Sequence, residues 1–155
     1  MAVYSNILET IGNTPIVQLS RLNTGKSSLF LKLENQNPGG SIKDRTGLNM
    51  IVQAEKRGTI RPGQLIVEAT AGNTGLGLAL ASRLKGYKLL LVIPDKMSTE
   101  KINHLRALGV ETVITRSDVG KGHPEYYQDL AARIAQERGG YYTSAGRFQF
   151  SVENV

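Results

Sequence analysis

Two short glycine-bearing segments hold the residues whose types and spacing could carry chemistry. The first, NPGGSIKDR at residues 37–45, sets Lys43 just beyond a glycine pair. Ser41 is a good helix N-cap, and Asp44 follows three residues later as in a capping box. Ile42, Met50 and Ala54 supply an apolar face, and Lys56-Arg57-Gly58 closes the helix. Lys43 is therefore expected in the first turn, where exposed N–H groups and the macrodipole repel an ammonium by a few tenths to about 1 kcal/mol. Partial burial would penalise the charged form further. An amine so placed is predisposed to be neutral and to attack an aldehyde. The bland alternative is a lysine that bends away into water, and for this residue alone it is the commoner outcome. A phosphate-cradling GxxxxGK[ST] loop is not written here, because the glycines stand three and four positions before Lys43 and Asp44 follows it.

The second segment, Glu68 to Gly77 (EATAGNTGLG), links an apolar run to a helical stretch. In an open parallel sheet such a loop lies at the carboxyl ends of the strands, where ligands bind. Its glycines would let backbone approach a ligand, and the helix that follows offers unpaired N–H groups to a carboxylate. Thr70 and Thr74 add hydroxyls, and Asn73 adds an amide that both donates and accepts. The spacing GxxGxG differs from the dinucleotide pattern GxGxxG, and no acidic residue ends the next apolar run, which disfavours a nicotinamide cofactor. A tight turn with small residues for packing explains this loop equally well.

These segments need a scaffold, and the remaining pattern predicts one. Leu65-Ile66-Val67, Lys88 to Ile93 and Glu111 to Thr115 read as strands, with Tyr141-Tyr142-Thr143 beginning another. Helical stretches lie between them, among them about Ser98 to Leu108 and Pro124 to Arg138, and glycine follows each where a left-handed cap is wanted. Wholly apolar strands separated by helices indicate an α/β fold, an open parallel sheet flanked by helices. Before it, residues 15–19 and 29–33 read as a hairpin or two neighbouring edge strands. No run approaches the roughly 20 apolar residues that span a bilayer, and the first residues carry no secretory pattern.

The 155 residues suffice for about one domain. Cysteine is absent, which excludes disulfides and thiolate chemistry and fits the cytoplasm. The net charge of +6 is scattered, with no basic block, which suits solvated helix faces and an anion-binding cleft better than nucleic acid. His104 and His123, the only histidines, stand apart from other potential ligands, so no metal site is expected.

Taken in order, IGNTP, NPGGSIKDR, EATAGNTGLGLA and VIPDKMSTEK resemble the cysteine synthase and cystathionine β-synthase family. These are pyridoxal-phosphate enzymes of the tryptophan-synthase-β fold (fold type II), and the resemblance runs from about Ile7 to about Tyr142. It implies that Lys43 matches the lysine that holds pyridoxal phosphate covalently. Asn73 matches the asparagine that hydrogen-bonds the cofactor's ring oxygen. Thr70, Ala71, Gly72, Asn73 and Thr74 match the loop that closes on the substrate carboxylate. At Ala71 many relatives carry serine, so one hydroxyl contact is missing. Gln149 resembles a glutamine that helps hold the carboxylate, although the family pattern close to QFxNPxN is here QFSVEN.

The resemblance implies a β-replacement. Serine or O-acetylserine gives up its β-substituent to a thiol or sulfide, and the freed Lys43 amine moves the α-proton. It implies small-molecule partners, no nucleic acid or membrane, a cytoplasmic location and a homodimer for the whole family member. Residues 1–40 are expected to belong to the larger domain, 41–146 to form the smaller α/β domain, and 147–155 to begin the return. The family's glycine- and threonine-rich phosphate clasp lies downstream, and no GTGGT-like run occurs here. The expectation is a truncated form, an N-terminal portion weak or inactive alone. The alternative is a non-catalytic module that binds a partner chain, or a generic nucleotide-binding domain.

Overall fold

The apolar runs become strands in the computed structural model, which describes residues 2–70 and 72–143. Strands β1 (Ile16–Gln18) and β2 (Phe30–Lys32) come first, flanked by single 3-10 turns at Ile7–Thr10 and Glu34–Gln36. The elements that follow are α1 (Lys43–Lys56), β3 (Leu65–Ala69), α2 (Asn73–Lys85), β4 (Lys88–Pro94), α3 (Thr99–Ala107), β5 (Glu111–Thr115), α4 (Tyr127–Glu137) and β6 (Tyr141–Tyr142). The last four strands form a sheet in the order β5-β4-β3-β6, with every neighbouring pair parallel.

Strand residues alternate between faces, and here both faces are covered. Ile66, Leu89, Leu91 and Ile93 pack with Met50 and Ile51 of α1, Leu78 of α2 and Leu105 of α3. On the other side, Val67, Leu90 and Val92 meet Ala131 and Ala135 of α4. This double cover explains why β4 is apolar throughout rather than alternating. Each large side chain fully buried there contributes about 1.5–3 kcal/mol. The helix ends follow the expected chemistry: Gly86 ends α2 at φ 79° and Gly109 follows α3 at φ 81°, both left-handed.

The N-terminal strands form the expected antiparallel pair, in the register Val17↔Leu31. Ile16 keeps 62% and Phe30 57% of its surface, and Val17 and Leu31 are also exposed, so among the described residues neither face of the pair is covered. Strands this short hold together weakly in water, and a polar network ties them down. The Thr14 hydroxyl donates to Glu34 Oε1 at 2.7 Å, and Arg45 grips the same carboxylate with Nε at 2.8 Å and Nη2 at 3.0 Å. Asn37 Nδ2 donates to Glu34 Oε2 at 2.9 Å, while its Oδ1 accepts from the Gly12 N–H at 2.9 Å. Lys32 Nζ donates to the Thr14 carbonyl. Hydrogen bonds from Arg45, helped by Thr14 and Asn37, hold the Glu34 carboxyl at about 2 against an ordinary 4.5. The segments IGNTP and NPGG are thus two sides of one tie.

A close backbone approach joins α1 to α2. A Cβ placed on Gly47 would lie 2.3 Å from the Gly77 carbonyl carbon, and one on Gly77 would lie 2.3 Å from the Lys43 carbonyl oxygen. No side chain fits there, so the two backbones touch. Among the described residues no helix is long and apolar enough to cross a membrane.

Two outcomes follow from these contacts. Gly77→Ala and Gly47→Ala should each destabilise the chain by roughly 1–3 kcal/mol in urea unfolding, and the pair should cost less than the sum because both strain one crossing. The Glu34 tie contributes stability above pH 4.5, its unfolded value, and loses it as pH falls toward about 2. Arg45→Ala should cost about 1–3 kcal/mol at neutral pH and flatten that part of the acid-unfolding profile.

Candidate active site

Lys43 opens α1. Ile42 before it already has helical torsions, φ −57° and ψ −20°, and no side chain caps the helix. Ser41 Oγ accepts from the Lys43 N–H at 3.1 Å, a local turn contact. The expected capping box does not form. Asp44 is fully buried, and its Oδ2 accepts from the Gly39 N–H instead. The cause is the glycine turn, which doubles back through a Gly40 N–H bond to the Asn37 carbonyl at 2.7 Å and brings Gly39 over the helix start. Lys43 itself is exposed rather than partly buried.

The loop after β3 has a divided character. The Thr70 N–H donates to the Val92 carbonyl at 3.2 Å, and Thr70 Oγ1 accepts from the Gly72 N–H at 3.2 Å, so this hydroxyl shapes the loop. Gly72 is the N-cap of α2, in extended conformation and with no side-chain cap bond. A Cβ built there would meet nothing within 4 Å. Gly75 and Gly77 serve packing: a Cβ on Gly75 would lie 2.8 Å from Leu91 Cδ1 and 2.9 Å from Thr70 Cγ2. The two explanations of the glycine pattern therefore divide by residue, with open backbone at Gly72 and close packing at the other two.

The helix crossing brings the two segments together. Gly77 rests on the backbone of Lys43, and Asn73, which is exposed, lies one helical turn earlier on α2. Thr74 stands next to Asn73 and is half-buried. Ala71, Gln149 and the segment 147–155 lie outside the described residues. Among the described residues, the lysine at one helix start is exposed, while the neighbouring helix start has no side-chain cap for its N–H groups. Such a pair suits an aldehyde and a carboxylate held side by side.

Several supporting residues escape sequence reasoning. Glu34, Arg45 and Thr14 form the tie, and only the presence of Thr14 in IGNTP and of Arg45 in NPGGSIKDR hints at them. Glu68, at the end of β3, is buried. Its carboxylate accepts from the Ala69 N–H at 3.0 Å and from the Thr143 hydroxyl, joining the loop's base to the residue after β6. His123 Nδ1 accepts from the Glu125 N–H at 3.1 Å, a turn contact. Among the described residues no group of three or more His, Asp or Glu side chains could hold a metal ion. Two clefts near the N-terminus, of about 410 and 280 Å³, are lined by neither Lys43 nor the 70–74 loop.

Comparison with known proteins gives this arrangement its relatives. A family model described as a pyridoxal-phosphate dependent enzyme matches residues 7–154. Cysteine synthase B of Escherichia coli is 47% identical over 137 residues, covering 88% of this chain and 44% of that protein. Cystathionine beta-synthase of Oryctolagus cuniculus is 48% identical over 138 residues, covering 87% of this chain and 25% of that one. Among solved structures, O-ureido-L-serine synthase superposes with a TM-score of 0.84 at 36% identity, over 92% of this chain and 44% of its own. The chain thus spans less than half the length of these relatives. With the α/β sheet and both glycine-bearing segments in place, the match over nearly all its residues shows that the chain belongs to the pyridoxal-phosphate-dependent enzyme family.

Proposed function

We propose that this chain is the lysine-bearing part of an enzyme that replaces the β-substituent of serine or O-acetylserine with a thiol or sulfide. The observation that carries this is the Gly47–Gly77 crossing, which sets the Lys43 backbone against α2, one turn from Asn73. The residues present fit pyridoxal phosphate: an exposed lysine for its aldehyde, open space beside Gly72, and a helix start with no side-chain cap. Bound there, the cofactor supplies the electron sink for removal of the substrate α-proton.

The chain's own residues have separate tasks in this scheme. Lys43 Nζ would hold the cofactor covalently, and its amine would carry the substrate α-proton. The Asn73 amide holds the ring oxygen. Gly72, Thr74 and the first N–H groups of α2 receive the substrate carboxylate, and Thr70 keeps Gly72 in place through its hydroxyl. Ala71 and Gln149 complete that carboxylate site. The whole protein acts as a homodimer in the cytoplasm. Residues 1–40 belong to its larger domain and 41–146 to its smaller one. Phosphate contacts are charge-assisted and anchor such a cofactor. The present sequence has no glycine- and threonine-rich clasp, so it retains the cofactor weakly.

A second reading is favoured by the uncovered β1–β2 pair: a non-catalytic module whose apolar strands dock on a chain carrying the remainder of the relatives' length. One experiment separates the two. Pyridoxal phosphate is added to the purified chain, visible absorbance is followed, and the adduct is fixed with borohydride and mapped. The enzymatic assignment expects an adduct concentrated on Lys43 and lost in Lys43→Ala. Adducts spread evenly over surface lysines would refute it. Co-purification with a full-length relative, without cofactor uptake, would support the second reading.

A further inference from the structure

Asp44, the residue after Lys43, is completely buried yet sparsely bonded. Its Oδ2 accepts from the Gly39 N–H, and its Oδ1 has no hydrogen-bond partner among the described residues. A Cβ on Gly39 would lie 2.4 Å from Oδ1 and 2.9 Å from Oδ2, so the carboxyl group lies flat against that glycine. Desolvation raises its proton affinity, the Gly39 N–H opposes this, and the Glu34 charge adds to the rise. Buried carboxyl groups with one bond are costly, and helix-start propensity alone would be served by an exposed acid.

The surroundings show what this group holds. The turn it touches contains two adjacent glycines, with Gly40 at φ 81°, and glycine leaves a turn many alternatives. Asn37 secures the far side, donating from Nδ2 to the Ser41 carbonyl at 3.1 Å and accepting at its own carbonyl from Gly40. Asp44 secures the near side. From below, Gly77 fixes the Lys43 carbonyl. The backbone from which the Lys43 side chain departs is held on three sides, and Asp44 supplies the side nearest the glycines.

We propose that Asp44 is a positioning residue: its carboxyl latches the Gly39–Gly40 turn onto the first turn of α1 and thereby aims Lys43. This rests on the assignment of Lys43 as the cofactor lysine. The latch needs an acceptor at Oδ2 and a side chain of this size. A helix-dipole role would need the negative charge instead. Asparagine keeps acceptor and volume and removes the charge, so the two roles part at Asp44→Asn.

The test uses the full chain with two readouts: amide hydrogen exchange at Gly39, and the fraction of borohydride-fixed pyridoxal phosphate found on Lys43 relative to the other lysines. Asp44→Ala should lower Gly39 protection by roughly tenfold or more and reduce Lys43 selectivity in step. Asp44→Asn should restore both to within about threefold of the unsubstituted chain. Gly39→Ala, which pushes against an intact carboxyl, should reproduce the loss and serves as the test if Asp44→Ala fails to fold. Unchanged Gly39 protection in Asp44→Ala, or an equal fall in the Ala and Asn variants, would overturn the latch. If the unsubstituted chain shows no preference for Lys43, the cofactor assignment fails, while exchange at Gly39 still decides whether the latch exists.

Discussion

The contact between Gly47 and Gly77 is the constraint on which the rest of the structure depends. Two helices whose backbones touch cannot slide or rotate without collision, because the space for even a methyl group is absent. The start of α1 is thereby referred directly to α2, and α2 is referred to the sheet through Leu78 and the packing of Gly75 on Leu91. A residue with a long, flexible side chain, Lys43, is thus mounted on a joint where two backbones touch. The arrangement resembles engineered sites in which the reactive group stands on regular elements and its backbone is fixed by neighbours.

Around that joint the segments quoted as motifs turn out to be mutually dependent. Thr14 of IGNTP and Asn37 of NPGG share the Glu34 carboxylate with Arg45 of KDR. Asp44 of the same KDR holds Gly39. None of these five side chains is needed to explain a helix or a strand. Together they explain why one short stretch mixes turn-formers, an amide, an acid and an arginine: the stretch is a fastening, and each type supplies a donor or an acceptor that another lacks.

The sheet and its helices were legible in the sequence because their causes are local. Apolar continuity in Lys88 to Ile93 requires cover on both sides, and glycine after Lys85 and after Leu108 marks where each helix stops. The candidate site was legible as two segments and less so in its contacts. Lys43 and Asn73 were singled out as candidates, and the structure brings their two segments together; the glycines beside Asn73 read equally well as ligand-facing backbone or as packing, and Gly75 and Gly77 proved to serve packing. Asp44 looked like a reciprocal cap and proved to bond backward to Gly39. Both outcomes have one origin. Spacing along a chain reports which groups a helix start can reach, whereas the partner chosen depends on a turn or a second helix arriving from elsewhere.

The two ends of the molecule are held by different forces. The sheet stays together through apolar burial, which weakens as water is cooled. The N-terminal strands lean on a partly exposed ion pair, Arg45 with Glu34, whose attraction diminishes as ionic strength rises. Concentrated salt and low temperature therefore act on opposite halves of one polypeptide.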